Sequence, residues 1–157
     1  MLWLLIACLS VLFPGCGNDN ERDKTNDDIA FQVHELINHH RLNQGLDSLI
    51  WNDACADQCR QHSRDMAEGN VPFGHDGFSE RVESIAVELG ITVVAAGENV
   101  AYNTGMSDPA RAAVDAWLAS SGHRQNIEGD YRLTGVGVAC PGQESLTFYF
   151  TQIFIKD

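Results

Sequence analysis

Two β-rich runs lie close together at the end of the chain, "TGVGVAC" and "SLTFYFTQIFI", with "PGQE" between them. Valine, threonine, tyrosine and phenylalanine pack well on a pleated surface, so the pair predicts an antiparallel β-hairpin. What precedes it is mostly helical in pattern. Helices first and antiparallel strands last is an α+β order, which restricts the fold to helices layered against a small sheet.

The helical segments can be bounded from their punctuation. Ile29, Val33, Leu36 and Ile37 recur at helical spacing after Asp27 or Asp28 as cap, and Gly45 stops the run, predicting a helix over about 28–43. Cys55, Ala56, Cys59, Ser63 and Met66 share one face of a second helix, about 52–68, with Asn52 or Asp53 near its start and Gly69 at its end. "FSERVESIAVELGI" gives a short third helix through Val82, Ile85 and Leu89, stopped at Gly90. "ITVVAAGENVAYN" reads as a strand. "SDPARAAVDAWLASSG" opens with Asp108 as cap and Pro109 at the first helical position, and puts Ala113, Val114, Trp117 and Leu118 on one face. The segment that follows, with Gly122, reads as the stop of that helix. Trp51 and Trp117 read as core anchors.

A chain of 157 residues with 44% hydrophobic content suits one folded domain, here 29–157. Its formal charge of −12 excludes nucleic acid as a natural partner, because that binding depends on Lys and Arg displacing counterions. The apolar run Leu2–Phe13 is too short for a bilayer span of ~20 residues and reads as the core of a signal peptide, residues 1–15. It ends in "FPGC", and a small residue before cysteine resembles the site at which bacterial lipoproteins are cleaved and acylated. That makes Cys16 the expected lipidation site, with plain secretion as the rival. Residues 16–28 include "GNDNERDKTNDD", which has no apolar residue to bury and reads as a flexible tether.

Beyond Cys8 and Cys16 the chain has Cys55, Cys59 and Cys140. An odd number allows at most one internal bridge. Two readings stand: a bridge from Cys55 or Cys59 to Cys140, or buried free thiols.

Glu98 lies in an apolar strand, where a carboxylate needs a donor, a cation or solvent. His75, in "PFGHDGF", and His123, in "WLASSGHRQNI", add two imidazoles. These are ligand types suited to a divalent metal, although no local metal motif links them. Asn99, Arg124 and Asn126 read as scaffold residues that hydrogen-bond loop carbonyls. Tyr149 and Gln152 are on the final strand, and either could face the site. Ser120 and His123 could form a nucleophile and base, but no orienting acid or oxyanion donor accompanies them.

The ordered blocks "LINHHR", "GLDSLIWN", "HSRDMA", "FGHDGF", "GENVA", "AVDAWLASSGHRQNI", "GVGVA" and "FYFTQIF" closely resemble the CAP superfamily of cysteine-rich secretory, antigen five and pathogenesis-related proteins. The likeness is to its bacterial branch, the SCP-like extracellular domain, over about residues 29–155. It implies a single-domain α-β-α sandwich, with a small, mostly antiparallel sheet between helical layers, and a cleft holding two histidines and two glutamates. His75, Glu98 and His123 match three of the four. Ser120 stands at the position of the second glutamate, so the set is incomplete. The resemblance makes His75 and His123 the candidate ligands of a divalent cation such as zinc.

Three functions follow as expectations. The first is an exported CAP domain, anchored to the membrane through a lipid at Cys16, that binds a lipid, small hydrophobic molecule or envelope component in the cleft. The second is a divalent-metal-dependent hydrolase using the same cleft, and the third a non-catalytic interaction protein of the cell envelope. Its expected location is therefore the envelope, or outside the cell if no anchor is attached.

Overall fold

The computed structural model describes residues 19–142 and 145–157. The signal peptide expected over 1–15 and lipidation expected at Cys16 lie outside these residues. Helix α1 runs Asp19–Asn43, beginning well before the expected residue 28. Residues 19–28, read from sequence as tether, are therefore helical. Two of these residues pack on the folded body: Asn26 is buried, and Arg60 Nε donates to Asp27 Oδ1 at 3.3 Å. Extending an existing helix also needs no new nucleus, so apolar content is a poor guide to where it starts.

The other helices are set by their caps. Asn52 Oδ1 accepts from the Cys55 amide at 3.1 Å and opens α2, Asp53–Glu68, which Gly69 ends in the left-handed region at φ 75°. Helix α3 is Phe78–Leu89. Asp108 Oδ1 accepts from the Arg111 amide at 2.9 Å to open α4, Pro109–Ala119. The segment after it is not a simple helix stop. The chain breaks at Ser120 alone, which is extended at φ −92° and ψ 124°, and re-enters helix as α5, Ser121–Glu128. Gly122 is inside that helix, so the turn belongs to Ser120.

Four strands, β1 (Ile50–Trp51), β2 (Ala95–Thr104), β3 (Leu133–Ala139) and β4 (Thr147–Lys156), form one sheet in the order β1-β3-β4-β2. β1 pairs parallel with β3; β3 and β4 form the expected hairpin, and β2 lies antiparallel on the other side of β4. Because strand side chains alternate, β4 sends Phe148, Phe150 and Phe154 to one face and Ile153 and Ile155 to the other. The phenylalanines pack with Val33 and Ile37 of α1, Val114 and Trp117 of α4 and Ile127 of α5. The isoleucines pack with Cys55 and Cys59 of α2 and Ile85 of α3. The result is the expected α-β-α sandwich.

Two glycines of β3 fix how closely α2 approaches. A Cβ on Gly135 would sit 2.1 Å from the Ala56 nitrogen, and one on Gly137 would sit 2.0 Å from the Arg60 nitrogen. The helix thus rests on bare strand backbone, and Ser63 Oγ reaches the Gly137 carbonyl and Thr151 Oγ1, each at 2.9 Å. Cys55 and Cys59 are buried free thiols, while Cys140 is disulfide-bonded, so no bridge joins either of them to Cys140. Burial pushes the Cys55 thiol up to about 12, and burial raises Cys59 well above the ordinary cysteine range, so neither is a reactive thiolate.

One buried histidine couples this core to pH. Asn38 is fixed by two bonds to Leu49, accepting from its amide at 2.8 Å and donating to its carbonyl at 3.0 Å. Its remaining N–H faces His34 Nε2 at 3.1 Å, which makes that ring nitrogen an acceptor. A proton arriving there would set two donors against each other. Burial, opposed by nearby Glu35, lowers the His34 pKa. With the folded value depressed, the unfolded chain binds more protons as pH falls. The stabilisation is complete above the ordinary histidine value of about 6.5 and is lost as pH drops from there through the lowered value. Urea midpoints measured from pH 8 to 5 should fall, and His34→Gln should flatten the slope. An unchanged slope would remove His34 as its source.

Candidate functional site

Glu98 lies on the α2–α3 face of β2, and its side chain is only 2% exposed. His75 comes from the loop between α2 and α3. That loop is tied to α2 by buried His62, whose Nε2 donates to the Gly74 carbonyl at 2.9 Å. His75 Nδ1 meets Glu98 Oε1 at 2.9 Å, and its side chain remains 52% exposed. His123 is half-buried in the first turns of α5. Its backbone is placed by Asn99 of β2, which donates to the His123 carbonyl at 3.1 Å. Asn126 donates to the Glu98 carbonyl at 3.1 Å and to Asn99 Oδ1 at 2.9 Å, so α5 is laced to the free edge of β2. Trp117 adds Nε1–H to the Val100 carbonyl at 3.0 Å. Burial first, and the nearness of His75 second, lower the His123 pKa. Both effects favour neutral imidazole at neutral pH.

The residue that sequence reasoning missed is Arg81. Its guanidinium forks onto Glu98, with Nε to Oε2 at 3.0 Å and Nη2 to Oε1 and Oε2 at 2.9 and 2.7 Å. Nη1 donates to the Asp76 carbonyl at 2.8 Å. A signal was available: Arg81 precedes Ile85 by four residues, so both occupy the inner face of α3, where a cation needs a partner.

The expected site residues therefore divide. His75 and Glu98 are brought into contact, and His123 lies within electrostatic reach of His75. Ser120 forms the α4–α5 joint and makes no hydrogen bond to the other three among the described residues. Glu98 does not line an open cleft as expected, since it is covered and fully engaged. Among the described residues no group of three or more His, Cys, Asp or Glu side chains is placed to hold a metal. Two imidazoles remain as candidate ligands, and the donor set does not fit a three-ligand catalytic centre. Of the remaining sequence candidates, Gln152 is fully buried, whereas Tyr149 joins a partly exposed aromatic strip. There Tyr102 stacks on Tyr149 with ring centres 5.8 Å apart, and Phe73 meets Tyr102 edge-on at 5.2 Å. Phe73 is two residues from His75, so the strip runs into the histidine loop.

The fold agrees with the comparisons. The model of the cysteine-rich secretory protein family, CAP, matches residues 34–154, and the chain belongs to that family. Over 149 residues it is 35% identical to YlbC, an uncharacterized membrane protein of Bacillus subtilis (strain 168), covering 91% of this chain and 39% of that one. An extracellular protein containing an SCP domain from Bacillus anthracis str. Ames superposes with a TM-score of 0.68 at 28% identity, covering 89% of this chain and 44% of that structure. An outer surface protein from Borrelia burgdorferi has the same fold, with a TM-score of 0.68 at 17% identity over 83% of this chain and 94% of that one. The chain thus spans less than half the length of the first two relatives. Among the described residues, no helix is long and apolar enough to cross a membrane.

Proposed function

We propose that this CAP domain works outside the cytoplasm as a binding module that takes a small, partly apolar envelope ligand on the face formed by His75, His123 and the Phe73–Tyr102–Tyr149 strip. The observation that carries this reading is the saturation of Glu98. With both oxygens engaged by Arg81 and His75, and with serine at position 120, Glu98 is not free to act as a general base or third metal ligand. Binding needs neither. Tyr102 is 58% exposed and Phe73 49%, and aromatic rings so presented offer flat apolar contact with polar edges.

Location outside the cytoplasm draws support from the apolar N-terminal run and from relatives described as extracellular or outer-surface proteins. Anchoring through Cys16 extends the same proposal. A thioether-linked lipid and a disulfide cannot share one sulfur, so the mass of the native N-terminal peptide tests the anchor directly. An unmodified or disulfide-linked Cys16 would end it.

Ligand binding is tested by extracting protein purified from its native membrane and identifying co-purified molecules by mass spectrometry. Wild type should retain a molecule absent from a control protein. Tyr102→Ala, which removes one stacking surface worth about 0.5–1.5 kcal/mol, should bind it roughly 2- to 12-fold more weakly. Equal retention by both proteins, or by the control, would sink the reading.

A further inference from the structure

We propose that Arg81 is the resident counter-cation of Glu98, holding His75 with its proton on Nδ1 and making the site indifferent to hard divalent cations such as magnesium and calcium. The inference concerns which ligands the proposed binding face can accept, and to that extent rests on that reading.

A carboxylate has about four lone-pair sites, two on each oxygen. Oε2 accepts from Arg81 Nε and Nη2, and Oε1 accepts from Arg81 Nη2 and from His75 Nδ1. The Nη2 hydrogen is shared between the two oxygens, and with the Glu98 side chain only 2% exposed no open lone pair faces a metal or a substrate proton. The same count settles the histidine. An ionised carboxylate can only accept, so Nδ1 must donate, and the Nε2 lone pair is the one that His75 offers to a ligand. Cations that prefer oxygen depend on carboxylates and carbonyls, whereas imidazole suits softer transition metals. The arrangement thus favours ligands that seek neutral nitrogen.

The clamp is built into the fold. Arg81 is 10% exposed and sits on α3, while Glu98 comes from β2, so the pair joins two layers. Nη1 holds the carbonyl of Asp76, the residue next to His75, so one guanidinium fixes both the histidine loop and its acceptor. Gly77 is left-handed at φ +78°, and a Cβ there would come within 3.2 Å of Nη1. The loop therefore closes over the guanidinium where a larger residue would crowd it.

The test uses the full chain labelled with nitrogen-15 at histidine, at pH 8. Long-range proton–nitrogen spectra should show His75 with a protonated Nδ1 and a bare Nε2. Millimolar calcium or magnesium should leave the His75 shifts and the Tm unchanged. Arg81→Gln should shift the ring toward the Nε2–H form and give a Tm that rises with calcium concentration, because Glu98 is then free. Arg81→Lys keeps the charge without the fork and should fall between the two. The wild-type readings stand even if a variant fails to fold. His75 found as the Nε2–H tautomer, calcium stabilisation of wild type that Glu98→Gln abolishes, or a folded Arg81→Gln protein that behaves like wild type would each overturn the proposal. Calcium stabilisation of wild type would also remove the saturated Glu98 on which the binding reading stands, whereas loss of Tyr102-dependent ligand retention would leave the Arg81 clamp untouched, so the two failures are distinguishable.

Discussion

Arg81→Met should destabilise the protein by about 3–5 kcal/mol, the usual consequence of stranding one charge of a buried pair. The loss comes from the partner left behind. Glu98, 2% exposed, would keep one bond to His75 and lose three to the guanidinium. It must then take up a proton or draw in water. The double variant Arg81→Met, Glu98→Leu removes both charges and should recover most of that stability, because a well-packed apolar replacement often matches a buried ion pair. Urea denaturation of the two single variants and the double variant forms a cycle whose coupling energy isolates the pair. A single-variant loss under about 1 kcal/mol would show that the pair behaves like a solvent-screened surface contact instead.

Gly137→Ala should be comparably damaging for a reason that involves no charge. The added carbon would sit 2.0 Å from the Arg60 nitrogen and 2.2 Å from the Cys59 carbonyl carbon, both backbone atoms that cannot rotate away. Helix α2 would have to lift from β3, at a cost of about 3 kcal/mol or more, the upper part of the range for overpacked cores. Gly122→Ala makes a sharp control. Nothing lies within 4 Å of the new carbon there, and the position is helical, so stability should hold or rise slightly. Thermal melts should place Gly137→Ala well below wild type and Gly122→Ala at or slightly above it. A Gly137→Ala protein that melts within a degree or two of wild type would contradict the close seating of α2.

How much of this was legible in the sequence depends on whether each feature is local. Asn52 and Gly69 around α2, Asp108 and Pro109 at α4, and the β3–β4 hairpin are written in neighbouring residues, and the structure has them as read. The start of α1 was not, because the partner of Asp27 is Arg60 of α2, distant in sequence. Strand β1 has two residues and takes its identity from pairing with β3, so no periodicity could reveal it. Ser120 looked like the end of a helix because a single extended residue between two helices leaves no composition signal. At the site, each half of the Arg81–Glu98 pair was detectable as a buried charge needing a partner. What the sequence lacked was the distance between them, which α3 and β2 together supply.

The strand order has a consequence for how such a chain comes into being. β4, residues 147–156, lies between β3 and β2, so both long ladders of the sheet run through the segment that a ribosome makes last among these elements. Until those residues exist, the α1, α4 and α5 layer lacks Phe148, Phe150 and Phe154, and β2 has no strand beside it. The β2–β4 ladder pairs residues distant in sequence, and such pairings form slowly, since a long loop must close before any ladder bond rewards it. The segment 147–156 is therefore the place where truncation does the most harm.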